Sequence, residues 1–171
     1  MDKRFFLAPL VAVLLFSCGS FTSYKGEKYY IDQESGLILD ALNKHDKEGL
    51  IALFSADMKK SESFRSKIDS VIDAYRCDTY VSAQIPATAS GSKAWAHGVV
   101  EWTIDLEVYS IRTFAHDELS DRYGDDRFYS FHYIYCIVDK ETPSLEGLNF
   151  FELNVYNRQE ITIQNAMGAK R

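Results

Sequence analysis

The sequence predicts an α+β domain in which three N-terminal helices pack on a curved antiparallel sheet of about four strands. Two patterns lead to this prediction. Apolar residues recur at helical spacing up to about residue 75, and they alternate with polar residues over much of the chain that follows. Helices followed by a run of strands are typical of the α+β class. Since 46% of the residues are hydrophobic, the chain can also bury a core.

Three helices are predicted in the first half of the chain. The first covers about residues 32–43, with Asp32 able to cap it, and the second begins after Asp46. The third begins at Ser61 and carries one apolar stripe, which is typical of a helix packed on a core. That stripe consists of Phe64, Ile68, Val71, Ile72 and Tyr75.

Strand patterns dominate the second half, whereas residues 86–94 are predicted to form a loop because Ala, Ser, Thr, Pro and Gly fill them. Within the strand at 99–113 the alternation shifts after Val108, which predicts a bulge or bend. The strand at 127–138 is apolar on both faces, so it is predicted to lie in the middle of the sheet. The remaining strand patterns lie at 80–85, at 148–156, and around Ile161 and Ile163.

Residues 1–17 are predicted to be a signal peptide. Lys3 and Arg4 precede twelve uncharged residues, 5–16, and small residues follow. Twelve residues cover about 18 Å as a helix, which is too short for a bilayer core of about 30 Å. The leader is therefore not predicted to be a permanent membrane span.

The run Leu15-Phe16-Ser17-Cys18 resembles a bacterial lipobox, in which the signal peptide is cut just before a cysteine that carries a diacylglyceryl group. The resemblance implies that Cys18 anchors the protein in the cell membrane or the outer membrane, with the domain outside the cytoplasm. With this anchor, residues 18–30 form a lipidated tether, residues 31–165 the folded domain and residues 166–171 a polar tail. The alternative is an ordinary signal peptide cut near Ser17 or Ser20.

Residues 39–55 are similar to an opening segment of the cone-shaped domains called nuclear-transport-factor-2-like, or cystatin-like. More closely, the chain resembles an uncharacterised family of bacterial lipoproteins in that superfamily, and residues 133–139 and 146–149 fit the same family. The resemblance implies a cone with a cavity at its open end or a sheet that pairs with a second copy. The family carries no catalytic motif that could be transferred to this chain. Since these folds host enzymes and scaffolds alike, the fold does not choose between these functions.

The aromatic strands indicate a non-catalytic domain that binds an unknown ligand or protein partner, with a homodimer through the sheet as one form of this prediction. Trp102, Tyr133 and Tyr135 are candidates for the cavity or binding face, together with His132 and Asp105. The alternative is a small-molecule enzyme of the isomerase or cyclase type, in which His132 or Asp105 acts as a base. For each of these side chains, a purely structural role is the competing interpretation.

The cysteines, the acidic residues and the net charge bear on whether the protein has a disulfide, a metal site or a nucleic-acid partner. Cys77 and Cys136 form a disulfide or are two small buried side chains, and their spacing does not decide between these alternatives. Acidic residues in the turn at 115–126 lack the spacing of a calcium-binding loop, so no metal site is predicted. No cofactor motif is present, and a net charge of −6 argues against a nucleic-acid partner.

Overall fold

The structure is a computed structural model that describes residues 25–96, 99–117, 120, 124–156 and, in their backbone, 160–164. The predicted signal peptide, its junction at Cys18 and the predicted tail at 166–171 lie outside the described residues. The described part has the predicted α+β architecture, with helices followed by an antiparallel sheet.

In the part of the chain that the structure describes, three α-helices come first: α1 (Glu27–Asn43), α2 (Lys47–Leu53) and α3 (Phe64–Ala74). The first helix begins earlier than the sequence pattern predicts, so the last residues of the predicted tether are helical. Tertiary contacts explain this difference, because Tyr30 packs edge-on against the Trp102 ring and Ile31 is completely buried. A 3-10 helix, Met58–Lys60, precedes α3.

The predicted start of α2 is confirmed by its capping geometry. A carboxylate oxygen of Asp46 accepts a hydrogen bond of 2.8 Å from the backbone N–H of Gly49. This bond satisfies one of the amide groups that a helix leaves without a partner in its first turn. Along α3, the side chains of Phe64, Ile68 and Val71 are buried, as the stripe predicts.

Within the described residues, the sheet contains six antiparallel strands. Five of them lie in the order β1-β3-β4-β5-β6, and β2 pairs with β3. The short β2 falls inside and just beyond the segment predicted as a loop, because its residues take their hydrogen bonds from the edge of β3. The strands are β1 (Thr79–Gln84), β2 (Lys93–Trp95), β3 (Val99–Phe114), β4 (Asp126–Asp139), β5 (Gly147–Val155) and β6 (Glu160–Gln164).

The predicted irregularity in β3 is a β-bulge. Val108 pairs with Phe131 and Ile111 pairs with Tyr129, so β3 has one residue more than β4 between these two pairs. Ser110, inside the bulge, has a φ of 53°, which is unusual for a residue other than glycine. Beyond the bulge, apolar side chains such as Ile111 again point toward the helices. The bulge also bends the strand.

The two faces of the sheet differ in what covers them. Side chains of the three helices form one core with alternate residues of the strands, such as Leu106, Phe131 and Phe151. The intervening residues, such as Asp105 and His132, point to the opposite face, which we call the helix-free face. Among the described helices, none is both long and apolar enough to cross a membrane.

Candidate functional site

A cavity of about 280 Å³ lies on the helix-covered side of the sheet, between α1, α2 and the adjoining parts of β4 and β5. Its walls combine apolar side chains with a few polar ones, which is typical of pockets for small molecules. Its lining includes Glu34 from α1, Tyr135 from β4, and Glu146 and Gly147 at the start of β5.

Glu34 is the most unusual side chain in this cavity. It lies three residues after Ile31 and four before Ile38, so it occupies a position on the buried stripe of α1 and is only 4% exposed. Burial raises the pKa of its carboxyl group to about 6, and a hydrogen bond from Tyr135 partly opposes that rise. A buried carboxyl group with a pKa near neutrality can change its charge when a ligand binds or pH changes.

Two neighbouring polar residues of α1 each hold a tyrosine of β4. Tyr135 bonds to Glu34, and burial raises the pKa of the Tyr135 hydroxyl above its ordinary value. The hydroxyl groups of Ser35 and Tyr133 lie 3.0 Å apart, and burial raises the pKa of Tyr133 to about 12. Both phenols therefore stay protonated at neutral pH, and Tyr135 keeps a proton to donate to the Glu34 carboxylate.

The rim of the cavity is built where α2 ends and β5 begins. The backbone N–H of Ser55 donates to the carbonyl of Leu148 over 3.0 Å, and the Ser55 hydroxyl donates to the Asn149 side chain over 2.8 Å. Gly147 adopts a φ of 111°, and a Cβ atom there would lie 2.9 Å from the Leu53 carbonyl oxygen. Only glycine allows the two chain segments to approach so closely with this backbone.

The charges around the cavity have one sign. Glu34 and Glu146 contribute carboxylates, and among the described residues that line the cavity none is basic. A buried carboxylate such as that of Glu34, with a raised pKa and no cation among the described lining residues, favours a positively charged group from outside. The arrangement can therefore pair with a cation or exchange a proton with a bound molecule.

The structure places the five candidate residues in three locations. Tyr135 lines the cavity, and Tyr133 is completely buried beside it. Trp102 is 4% exposed and contacts Tyr30 of α1, away from the cavity. His132 and Asp105 lie on the helix-free face, so they do not join the cavity.

On the helix-free face, His132 Nε2 and Asp105 Oδ1 are 2.6 Å apart. The two side chains are 34% and 40% exposed, so water weakens their attraction. Register places Glu107 and Glu152 on either side of His132, and the Phe150 ring lies 5.0 Å from its ring centre. This is an ordered polar patch on an open surface rather than a cavity.

The helix-free face also has a hollow, of about 480 Å³, which is lined by Arg112, Phe128 and Tyr156 among others. Arg112 donates to both carboxylate oxygens of Asp126, over 2.8 Å and 3.2 Å. Because this bidentate pair already satisfies the guanidinium group, the hollow offers little attraction to an anionic ligand.

Cys77 and Cys136 are free, buried thiols in the structure. Cys77 lies beside Asn43, its sulfur 3.6 Å from the amide oxygen, whereas Cys136 borders the cavity near the other end of β4. Asp78, next to Cys77, bonds to Phe114 opposite the start of β4, whereas Cys136 lies ten residues further along β4, so the two thiols are beyond the reach of a disulfide. Burial raises the pKa of Cys136 to about 12, so its thiol is protonated and unreactive.

The described acids of the turn at 115–126 have side-chain partners of their own. Asp117 receives a 2.6 Å bond from the buried Arg127, and Asp125 lies 3.2 Å from His116. Within the part of the chain that the structure describes, no group of three or more ligand side chains is placed to hold a metal ion.

Sequence reasoning missed Glu34 and Glu146. A usable signal existed for Glu34, since an acid that interrupts an apolar stripe is either paired or functional. Glu146 follows a turn, and its sequence neighbours give no indication that α1 lies nearby. Its position at the cavity depends on the return of the chain from β4 to β5.

Comparison with known protein families identifies the domain. A family model described as a domain of unknown function (DUF5104) matches residues 37–158, which include the C-terminal part of α1, the other helices and the first five strands. No curated protein matches the chain.

Proposed function

The chain belongs to the DUF5104 family. We propose that it is a lipid-anchored envelope protein. From the geometry of its cavity, we propose that its domain binds a small cationic ligand without catalysis. The observation that carries this proposal is the cavity with Glu34 held by Tyr135, a second carboxylate at its rim and no basic lining residue among those described. An organic amine is the chemical class that fits this set of groups.

The anchoring part of the proposal rests on the leader. A basic start, a short apolar segment and Cys18 after Ser17 follow the order of a lipoprotein signal. The resemblance to nuclear-transport-factor-2-like lipoproteins supports the same assignment, and it suggests that the cavity is the open end of a cone. Lipid chains would hold the domain at the cell membrane or outer membrane, outside the cytoplasm.

The binding part follows from the energetics of Glu34. At pH 7 a carboxyl group with a pKa of about 6 is mostly ionised, although burial makes that charge unfavourable. An ammonium group in the cavity would offset this penalty by pairing with the charge. Ligand binding would in turn favour the ionised form, so affinity should rise as pH increases through 6.

The test uses the chain from residue 18 onward and measures thermal unfolding with butylamine, putrescine or butanol. The amines are expected to raise the melting temperature at pH 7.5 and to have less effect at pH 5, where Glu34 is protonated. Butanol, which has no charge, is expected to have no such effect. Glu34→Gln should abolish the amine effect.

Asp40→Asn is the matched control, because Asp40 is an exposed acid on the same helix that pairs with Lys44. This variant should keep the full response to the amines. An equal response in the Glu34→Gln variant, or an equal effect of butanol, would contradict the proposed site.

One observation favours a second candidate function, a small-molecule enzyme. A carboxyl group with a pKa of about 6 beside a phenol is suited to general acid or base catalysis, and Glu34 would be that group. Chemical conversion of an incubated compound, lost in the Glu34→Gln variant, would favour the enzyme; recovery of the compound unchanged would favour binding alone.

Pairing of two copies through the sheet and contact with another protein partner stay predictions. The helix-free face would be the surface involved, since Tyr109, Phe128 and Tyr156 are exposed there.

A further inference from the structure

A cluster of aromatic and basic side chains surrounds the N-terminal end of α1, where the chain enters the described domain. We call it the basal cluster. Its two most exposed rings belong to Trp95, which is 67% exposed, and Tyr29, which is 49% exposed. The cluster consists of Lys25, Tyr29, Tyr30, Lys93, Trp95 and Trp102.

Contacts join these side chains into one continuous surface. The ammonium group of Lys93 lies 3.6 Å from the centre of the Trp102 ring and 4.9 Å from that of Trp95. Trp102 packs edge-on against Tyr30 at 5.2 Å, and Tyr30 packs against Tyr29 at 5.4 Å. The Tyr29 ring in turn lies under Lys25, so one lysine lies at an end of the aromatic surface and the other lies between the two tryptophans.

Packing within the domain does not explain Trp95. This residue ends β2, a strand of three residues whose side chains are all exposed. Trp102 already fills the space against α1, so Trp95 adds little buried area and leaves a large ring in water. Trp, Tyr and Lys side chains grouped in this way are typical of surfaces that lie at the headgroup level of a bilayer.

The position of the cluster relative to the anchor supports the same interpretation. Lys25 is seven residues after Cys18, and a chain of that length spans at most about 25 Å. An anchor at Cys18 therefore keeps this end of the domain close to the lipid. We propose that the basal cluster docks on the phospholipid surface, with Trp95 and Tyr29 inserted at the headgroup level; this rests on the proposed anchor.

The local charges fit a phospholipid surface better than the net charge of −6 suggests. Lys25 and Lys93 stand over rings rather than acids, whereas Lys28 pairs with Asp32. Two cations beside apolar rings would meet lipid phosphates while the rings enter the interface. The acids at this end of α1 have partners of their own, since Glu27 accepts a bond from the Ala89 backbone N–H and Asp32 pairs with Lys28.

The test uses fluorescence, because the chain has only two tryptophans, of which Trp95 is exposed and Trp102 is buried. The protein used is the chain from Gly19 onward, which contains every described residue. A hexahistidine tag precedes Gly19 and takes the place of Cys18. The tagged protein is bound to vesicles of phosphatidylcholine and phosphatidylglycerol that contain a nickel-chelating lipid. Brominated phosphatidylcholine then serves as the quencher. Docking predicts that tryptophan emission falls on these vesicles, and that the emission left in the Trp95→Phe variant does not fall.

A matched control places the probe elsewhere. In the Trp95→Phe background, Tyr156→Trp puts a tryptophan on the helix-free face, at a position that is 60% exposed in the parent chain. This probe should not be quenched. Unquenched Trp95 on vesicle-bound protein, or equal quenching at both positions, would overturn the docking proposal. Because the chelating lipid supplies the tether, neither outcome depends on whether Cys18 is lipidated.

Discussion

At the scale of single residues, Glu34 illustrates a conflict between stability and the proposed binding role. Its carboxyl group occupies a helix position that an apolar residue would fill in an ordinary core. The Tyr135 bond compensates only part of the burial penalty, because the pKa still lies above its ordinary value. A cost of this kind is common where a group is kept for function rather than for folding.

The raised pKa of Glu34 predicts a specific pH dependence of stability. In the folded state this group binds its proton up to about pH 6, whereas the unfolded chain releases it near 4.5. The folded protein therefore loses stability as pH rises from about 4.5 to 6, by roughly 2 kcal/mol from this group. Glu34→Gln should remove that loss and should be more stable than the parent at pH 7.5.

Urea unfolding of the parent and the variant at pH 4.5, 6 and 7.5 measures this effect. Asp40→Asn should follow the parent curve, since Asp40 is exposed. If the difference between the parent and Glu34→Gln is the same at all three values of pH, the assigned pKa shift is wrong.

At the scale of secondary-structure elements, the junction of α2 with β5 determines the shape of the cavity rim. Phe54 and Leu148 form a parallel bridge there, and Ser55 bonds to both Leu148 and Asn149. These contacts join segments more than ninety residues apart in sequence, and they leave no room for a side chain at Gly147. Correct formation of the rim therefore depends on one backbone conformation.

Gly147→Ala is expected to destabilise the protein by about 2 kcal/mol or more. The new Cβ would approach the Leu53 carbonyl and the Ser55 amide at 2.9 Å, and alanine resists a φ of 111°. Gly36→Ala is the matched control, because a Cβ at Gly36 meets nothing within 4 Å in the middle of α1. It should stabilise the protein by about 1 kcal/mol. Urea midpoints of both variants test this, and equal effects would contradict the described rim.

At the scale of the whole molecule, the two faces and the N-terminal end have different characters. The helix-covered face contains the core and the cavity, and the helix-free face carries polar groups with a few exposed rings. The basal cluster lies where the chain arrives from Cys18. A domain with this polarity can be held in one orientation by a single N-terminal anchor.

Intact mass spectrometry of protein purified from bacterial membranes tests the anchor itself. The expected mature chain begins at Cys18 and carries a diacylglyceryl modification. Cys18→Ser should abolish the lipid mass and leave the signal peptide uncut. A mature chain that begins at another residue, with no lipid, would contradict the anchor while leaving the cavity and docking tests intact.

Local patterns were sufficient to predict most elements. The Asp46 cap, the stripe of α3 and the phase shift after Val108 are properties of a few adjacent residues, and each has its expected structural result. The early start of α1 and the short strand β2 were not predictable in this way. Both depend on a distant partner, namely Trp102 and the edge of β3.

The sequence by itself determined the fold class, because the period of apolar residues is imposed by the geometry of helices and strands. It also determined the prediction of a leader and an anchor, which are read from a linear order of residue types. Only the tertiary structure decided which candidates share a site. Tyr135 meets Glu34, while His132 points to the other face, because successive side chains of a strand alternate and the helices cover a single face of the sheet.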